Sequence, residues 1–199
     1  YKSYIMNIAI VGATGNVGRK TLEVLEKKGL TLGNLYLVAS SKSAGKKIHF
    51  QGKDIVVSEL ENFDFSKVKI AFFAAGGKIS EKFAEKAANH CLVIDNSSFF
   101  RMDPDVPLIV PQVNSDDLNN VKKNIIANPN CSTAQLVIAL KPLHDLFVIK
   151  RIVVSTYQSV SGAGKASMDE LIKQTKLALD GKDIKSVSYT HLRAHETLL

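Results

Sequence analysis

A chain of 199 residues, 45% hydrophobic and 23% charged, is of ordinary globular composition and long enough for one domain and part of another. A net charge of +7 favours an anionic ligand, but the lysines are scattered, tryptophan is absent and no aromatic–basic interleaving occurs, so nucleic acid is not the expected partner. No apolar run of about 18 residues offers a membrane span, no signal peptide is expected, and two cysteines make no disulfide framework, which fits a reducing, cytoplasmic setting.

Tyr1 to Ile5 read as a leader and Met6 as a candidate natural start, because Asn7-Ile8-Ala9-Ile10-Val11 makes a good buried strand. Gly12-Ala13-Thr14-Gly15-Asn16-Val17-Gly18 follows, then a helical run with Val17, Leu22 and Leu25 that stops at Gly29. Strand, glycine-rich turn and helix are the context of a dinucleotide fingerprint, in which glycines let a pyrophosphate approach a helix N-terminus. Gly12, Thr14, Gly15, Asn16 and Val17 are the candidate contacts, although the spacing is G-x-x-G-x-x-G and a plain turn competes. The second strand, Leu35 to Ala39, ends in Ser40-Ser41-Lys42-Ser43, with Lys46 and Lys47 behind. An NAD enzyme usually carries an acidic residue there; hydroxyls and a cation suit a 2′-phosphate, so NADP is favoured over NAD. A solvated lysine-rich loop is the alternative.

Lys47 to Phe50 and Asp54 to Val57 alternate as a small hairpin around Gly52. Lys69 to Ala74 is the next core strand, and Ala75-Gly76-Gly77 lets a cofactor approach the backbone. A helix over Ile79 to His90 precedes a strand, Leu92 to Asp95, which leads to Asn96-Ser97-Ser98. His90 and Cys91 are adjacent without further ligands at metal-site spacing, so both read as structural and no metal is expected. Phe99 to Asn114 is a long connection with three prolines, a length often functional. Its Arg101 suits a phosphate or carboxylate, or else a surface ion pair with Asp103 or Asp105.

A short apolar run, Ile125 to Ala127, hands over through Asn128-Pro129-Asn130 to Cys131 and a helical pattern with Ala134, Val137, Ile138 and Leu140 on one side and Pro142 as a kink. Cys131 therefore sits at a helix N-terminus, where N–H groups and the dipole favour the thiolate. Asn130, Ser132 and Thr133 are all capping types. A structural half-buried cysteine is the competing reading. A long β pattern runs from Val148 to Val160, and Ser161-Gly162-Ala163-Gly164-Lys165 opens a helix to Leu179. The expected division is a nucleotide domain over 6–129, a second domain over 130–185, and a stretch over 186–199 resembling a translated sequencing-adapter tail. His191, His195 and Glu196 in that stretch are not read as catalytic.

The glycine turn, Ala39-Ser40-Ser41-Lys42-Ser43-Ala44-Gly45, Asp95-Asn96-Ser97-Ser98, Arg101 to Leu108, Asn128 to Thr133 and Gln158 to Gly164 together resemble aspartate-semialdehyde dehydrogenase from about Met6 to about Ile184. N-acetyl-glutamyl-phosphate reductase usually has glycine between the proline and the cysteine, where this chain has Asn130. The resemblance implies an α/β fold: a Rossmann-type NADP-binding domain followed by the start of an α+β catalytic and dimerisation domain. It implies interconversion of L-aspartate 4-semialdehyde plus phosphate with L-aspartyl 4-phosphate, for lysine (diaminopimelate), threonine and methionine synthesis, in a homodimer or homotetramer. It implies Cys131 as nucleophile, Gln158 orienting the intermediate and Asn130 in the active site. Arg101, Asn96 and Ser97 are implied on the substrate or phosphate, and Ala75, Gly76, Ser161 and Gly162 beside the cofactor. The family's acid–base histidine and its substrate-binding arginine and glutamate lie beyond the match. Loss of such a base typically lowers turnover about 10²–10⁴-fold, and lack of much of the dimer-forming second domain would leave apolar surface uncovered, so little turnover and poor solubility are expected. A non-catalytic NADP-binding module is the competing hypothesis.

Overall fold

The computed structural model describes residues 6–183. Internal contacts divide the chain between Ile149 and Lys150 into two units. The stretch over 186–199, with the expectation attached to it, lies outside the described residues.

The first unit is built on seven strands: β1 (Ile8–Val11), β2 (Leu35–Ala39), β3 (Lys47–Phe50), β4 (Lys53–Glu59), β5 (Ile70–Phe73), β6 (Leu92–Asp95) and β7 (Ile125–Ala127). Their order is β3-β4-β2-β1-β5-β6-β7. Every pair is parallel except β3 with β4. The chain leaves β1 to one side for β2 and returns to its other side for β5, and a crevice forms at such a reversal.

Side chains alternate across a strand, and β1 shows why an unbroken apolar run is required. Ala9 and Val11 join one core with Phe65, Phe73, Phe83 and Phe100, while Ile10 joins the opposite one with Leu22, Leu25, Leu37 and Val57. The first core takes Phe83, Ala84, Ala87 and Ala88 from α2 (Gly77–Ala88); the second takes Leu22 and Leu25 from α1 (Asn16–Lys27). The two helices thus cover opposite faces of the sheet. The Val17 of the expected apolar stripe is exposed.

The hairpin forms as expected, with Gln51 and Gly52 both at positive φ (46° and 77°), as a tight two-residue turn needs. It does not stand alone: β4 continues to Glu59 and pairs with β2, so the hairpin extends the main sheet. The long connection after β6 carries α3 (Pro111–Asn114) and a 3₁₀ turn over Ser115–Asn120. Its Phe100, Val106 and Ile109 are buried, and Leu108 bridges Ala127, so it packs along β7. The helix α4 (Cys131–Phe147) runs through Pro142. Of its expected apolar side only Val137 is buried, and Ile138 is exposed.

In the second unit the 3₁₀ turn Val160–Ala163 leads to α5 (Lys165–Leu179). The strand expected from Val148 to Val160 is not formed: residues 149–159 are irregular, and Val148 closes α4 at φ 53°. A strand needs a ladder partner, and no described strand pairs with this segment. Among the described residues no helix is long and apolar enough to cross a membrane.

Candidate active site

One register row crosses the sheet near its carboxyl edge: Val38, Val11, Phe73, Asp95 and Ala127 lie side by side. One step further along each strand stand Ala39, Gly12, Ala74, Asn96 and Asn128. The sequence motifs therefore converge because parallel strands all end at the same rim.

At the switch point the glycine turn is closed by contact rather than by side chains. Gly12 has φ 86°, and a Cβ there would stand 2.7 Å from the Ala74 carbonyl oxygen. A Cβ on Gly18 would stand 2.3 Å from the Gly12 oxygen, so the helix lies directly on the turn. Gly12 N donates to Val38 O at 2.8 Å, and Ala74 N to Val11 O at 2.8 Å. The N-caps of α1 and α2 are Gly15 and Gly76, with no side-chain cap, and Gly76 needs its φ of 88°. Helix N-termini of this kind accept anions, and glycine at Gly12 and Gly15 leaves the backbone open to a pyrophosphate. Thr14 Oγ1 donates to Ser43 Oγ at 3.4 Å, which joins this turn to the one after β2. On that second turn Ser40, Ser41 and Lys42 are exposed, Asn16 and Val17 are exposed at the head of α1, and Ala75 adjoins Gly12.

On the other side of β5 the rim is polar and tied down. Arg101 is half-buried; its Nε donates to Asn128 O at 2.9 Å and a terminal nitrogen to Asn96 O at 3.2 Å. The ion-pair alternative is not what forms. Asp103 takes Lys123 at 2.9 Å, and Asp105 takes Lys122 at 3.1 Å. Phe100, which is only 2% exposed, anchors the loop in the core and carries Arg101 to the rim. Burial lowers the basicity of the guanidinium, while the charges of Asp95 and Cys131 act in the opposite sense.

Asn96 and Ser97 are engaged within this framework. Asn96 Nδ2 donates to Phe73 O (3.2 Å) and its Oδ1 accepts from Asn128 Nδ2 (2.8 Å). The Ser97 hydroxyl donates to Asp95 (2.6 Å) and accepts from Phe99 N (3.1 Å). Asn128 and Asp95 were not among the expected site residues. An asparagine at the same step beyond both β6 and β7 was the available signal for Asn128.

Cys131 is the first residue of α4 and is exposed. Asn130 caps the helix, its Oδ1 accepting from Ser132 N at 2.9 Å, and stands 4.0 Å from Cys131 Sγ. Cys91 is the contrast: buried, bonded to Ala87 O at 3.3 Å, and with its thiol pushed up to about 11 by burial. Its neighbour His90 is exposed. No described group of His, Cys, Asp and Glu is arranged to hold a metal ion.

In the second unit, Gln158 packs near Gly162, where a Cβ would stand 2.9 Å from its Nε2. Ser161 N donates to Ser159 Oγ at 3.3 Å, and Gly162 N donates to Ser159 O at 3.0 Å.

A family model described as semialdehyde dehydrogenase, NAD binding domain, matches residues 7–121, and its companion, the dimerisation domain, matches 140–194. The aspartate-semialdehyde dehydrogenase of Rickettsia bellii (strain RML369-C) is 52% identical over 172 residues, 85% of this chain and 51% of that protein. A solved structure of aspartate semialdehyde dehydrogenase II complexed with ASA from Vibrio cholerae, 49% identical, matches with a TM-score of 0.89 over 95% of this chain and 57% of that one. Aspartate semialdehyde dehydrogenase with NADP from Candida albicans, 31% identical, matches with a TM-score of 0.63 over 73% of this chain and 48% of that one. The chain spans about half the length of the curated relatives it matches. With a glycine turn closed over the switch point of a parallel sheet and a cysteine heading the helix after its last strand, the chain belongs to the semialdehyde dehydrogenase family.

Proposed function

We propose that the chain carries the nucleophile and the cofactor site of an aspartate-semialdehyde dehydrogenase, interconverting L-aspartate 4-semialdehyde plus phosphate with L-aspartyl 4-phosphate. The observation that carries this is the pairing of Cys131 at the N-terminus of α4 with Arg101 fixed on the Asn96 and Asn128 carbonyls. Cys131 Sγ attacks the aldehyde carbon: a C–S bond forms, and the carbonyl electron pair moves to oxygen. The negative charge that develops there meets the positive end of the helix. When bound, the nicotinamide supplies an acceptor for the hydride that leaves this carbon, and a thioester on Cys131 results. Phosphate held by Arg101 then attacks the acyl carbon, the C–S bond breaks, and the thiolate leaves. Asn130 fixes the backbone that carries the sulfur. Asn96 serves by placing Arg101, and Ser97 by closing the loop.

The glycine turn and the heads of α1 and α2 would hold the pyrophosphate. Ser40, Ser41, Lys42 and Ser43 follow β2 without a carboxylate among them, which supports NADP over NAD. Resemblance rather than geometry supports Gln158 as the group that orients the intermediate, and Ser161 and Gly162 as cofactor contacts. The dimerisation-domain match supports a homo-oligomer, working in the cytoplasm. The division at residue 130, with the nucleophile opening the second domain, is retained as part of this proposal.

Mass spectrometry of the chain incubated with L-aspartate 4-semialdehyde and NADP⁺ tests the reading. The expected result is an acyl adduct on Cys131 that phosphate removes and that the Cys131→Ser variant lacks. NADP⁺ should also bind more tightly than NAD⁺, a preference reduced by Lys42→Ala. An adduct that forms equally well on the serine variant, or one that phosphate leaves in place, overturns the proposal.

A further inference from the structure

The proposed chemistry leaves one buried charge without a role. Asp95 is fully buried at the end of β6. Its Oδ1 accepts from Ser80 Oγ (2.6 Å) and Ser97 N (3.1 Å), and its Oδ2 accepts from Ser97 Oγ (2.6 Å). Burying a carboxylate is unfavourable even when it is hydrogen-bonded, and an apolar residue of similar size often serves stability as well or better. A carboxylate at this position therefore calls for an explanation other than stability.

The hydrogen bonds supply one. The two bonds to Ser97 close residues 95–97 into a tight turn, and Ser97 Oγ extends it by accepting from Phe99 N at 3.1 Å. Inside that turn lies the Asn96 carbonyl, which receives one nitrogen of Arg101. The Asp95 carbonyl accepts from Asn128 N at 2.8 Å, and the carbonyl of that same Asn128 receives Arg101 Nε. The Asn96 carbonyl is thus set by the Asp95 side chain, and the Asn128 carbonyl is tied to the same residue through its backbone. The bond to Ser80 ties the arrangement to α2, so the turn cannot drift from the sheet.

We propose that Asp95 is the positioning residue for Arg101, setting the guanidinium to receive an oxyanion through the Asn96 and Asn128 peptides without touching the anion itself. This rests on the reading of Arg101 as the phosphate-binding group. The charge of Asp95 also reaches Arg101 directly and opposes the effect of its burial.

The test is protection of Cys131 from iodoacetamide by inorganic phosphate in the 199-residue chain, with NADPH affinity measured in parallel. Asp95→Asn keeps the shape but removes the charge and an acceptor. It should raise the phosphate concentration for half-protection about tenfold, the scale of one hydrogen bond to a charged group, and leave NADPH affinity unchanged. In an Arg101→Ala background the same substitution should add nothing, because a residue acting through Arg101 has nothing left to act on. Ser97→Ala, which removes the hydroxyl bonds to Asp95 and Phe99 N but keeps the Ser97 N–H bond to Asp95 Oδ1, should give a smaller shift of the same kind and serves where Asp95→Asn does not fold. Unchanged half-protection in both variants overturns the proposal. So does an added loss in the Arg101→Ala background, or an equal loss of NADPH affinity, since either marks general damage. No phosphate effect in the unsubstituted chain overturns the reading of Arg101 and this proposal with it; a phosphate effect indifferent to Asp95 and Ser97 overturns this proposal alone.

Discussion

The first unit and the second both carried legible motifs, yet they came out differently. In the first, apolar runs found partners on both sides. Ala9, Ile10, Val11, Leu37, Val38, Ala71 and Val93 are all buried, and at the rim above them Asn96, Ser97, Arg101 and Asn128 are tied by hydrogen bonds. In the second, no described residue is buried, and Tyr157, Val153 and Leu179 are among the most exposed apolar side chains of the chain. An alternating pattern records which face a segment would bury; it does not supply the surface against which to bury it. The same lesson applies to function: Arg101 and Cys131 acquired a geometry, whereas Gln158 kept only its family likeness.

A matched pair of glycines tests this difference most severely. Gly18→Ala drives a methyl group into the Gly12 carbonyl oxygen, which belongs to backbone and cannot swing away. A loss of about 3 kcal/mol, at the upper end for overpacking, is expected in urea unfolding, together with loss of NADP(H) binding. Gly162→Ala in the second unit meets only the end of the Gln158 side chain, which can turn aside, so a change within about 0.5 kcal/mol is expected. Equal effects at the two positions would mean that the second unit is packed as tightly as the first.

The two cysteines sharpen the comparison within the first unit. Exposed Cys131 should take up iodoacetamide near pH 7 well before buried Cys91, as peptide mapping of the labelled chain would read. Comparable labelling would indicate that the core around Cys91 opens readily. Because the folded-state value of Cys91 is raised to about 11 from 9.0, its contribution to stability is complete below pH 9 and declines as pH rises toward 11. Cys91→Ala should abolish that part of the alkaline decline.

The smallest effect concerns the loop that carries Arg101. The Lys123 ammonium holds the Asp103 carboxyl below its ordinary value of 3.8. The pair's contribution is therefore present at neutral pH and lost as pH falls through and below about 4. Asp103→Asn should reduce the acid sensitivity of stability slightly while leaving Arg101 on its two carbonyls. A large effect on phosphate protection of Cys131 would show that the ion pair, rather than Phe100 and Asp95, holds the loop.

Much was decided by sequence alone, wherever a requirement is local. Gly12 and Gly76 adopt positive φ, Asn130 caps a helix, and the β1 run admits no polar residue, each a demand of a few neighbouring atoms. The motif order likewise carried the family. Tertiary structure alone decided whether β4 would join the sheet, that Val17 and Ile138 would face outward, and that residues 149–159 would remain without a ladder. It also put Arg101 on two carbonyls instead of the alternative ion pair, leaving Asp103 and Asp105 to lysines. Asp95, which the sequence offered only as the first residue of a motif and without a role, became central once the fold buried it between Ser80 and Ser97. Those choices depend on which surfaces from distant parts of the chain come to lie together, and only the assembled sheet determines that.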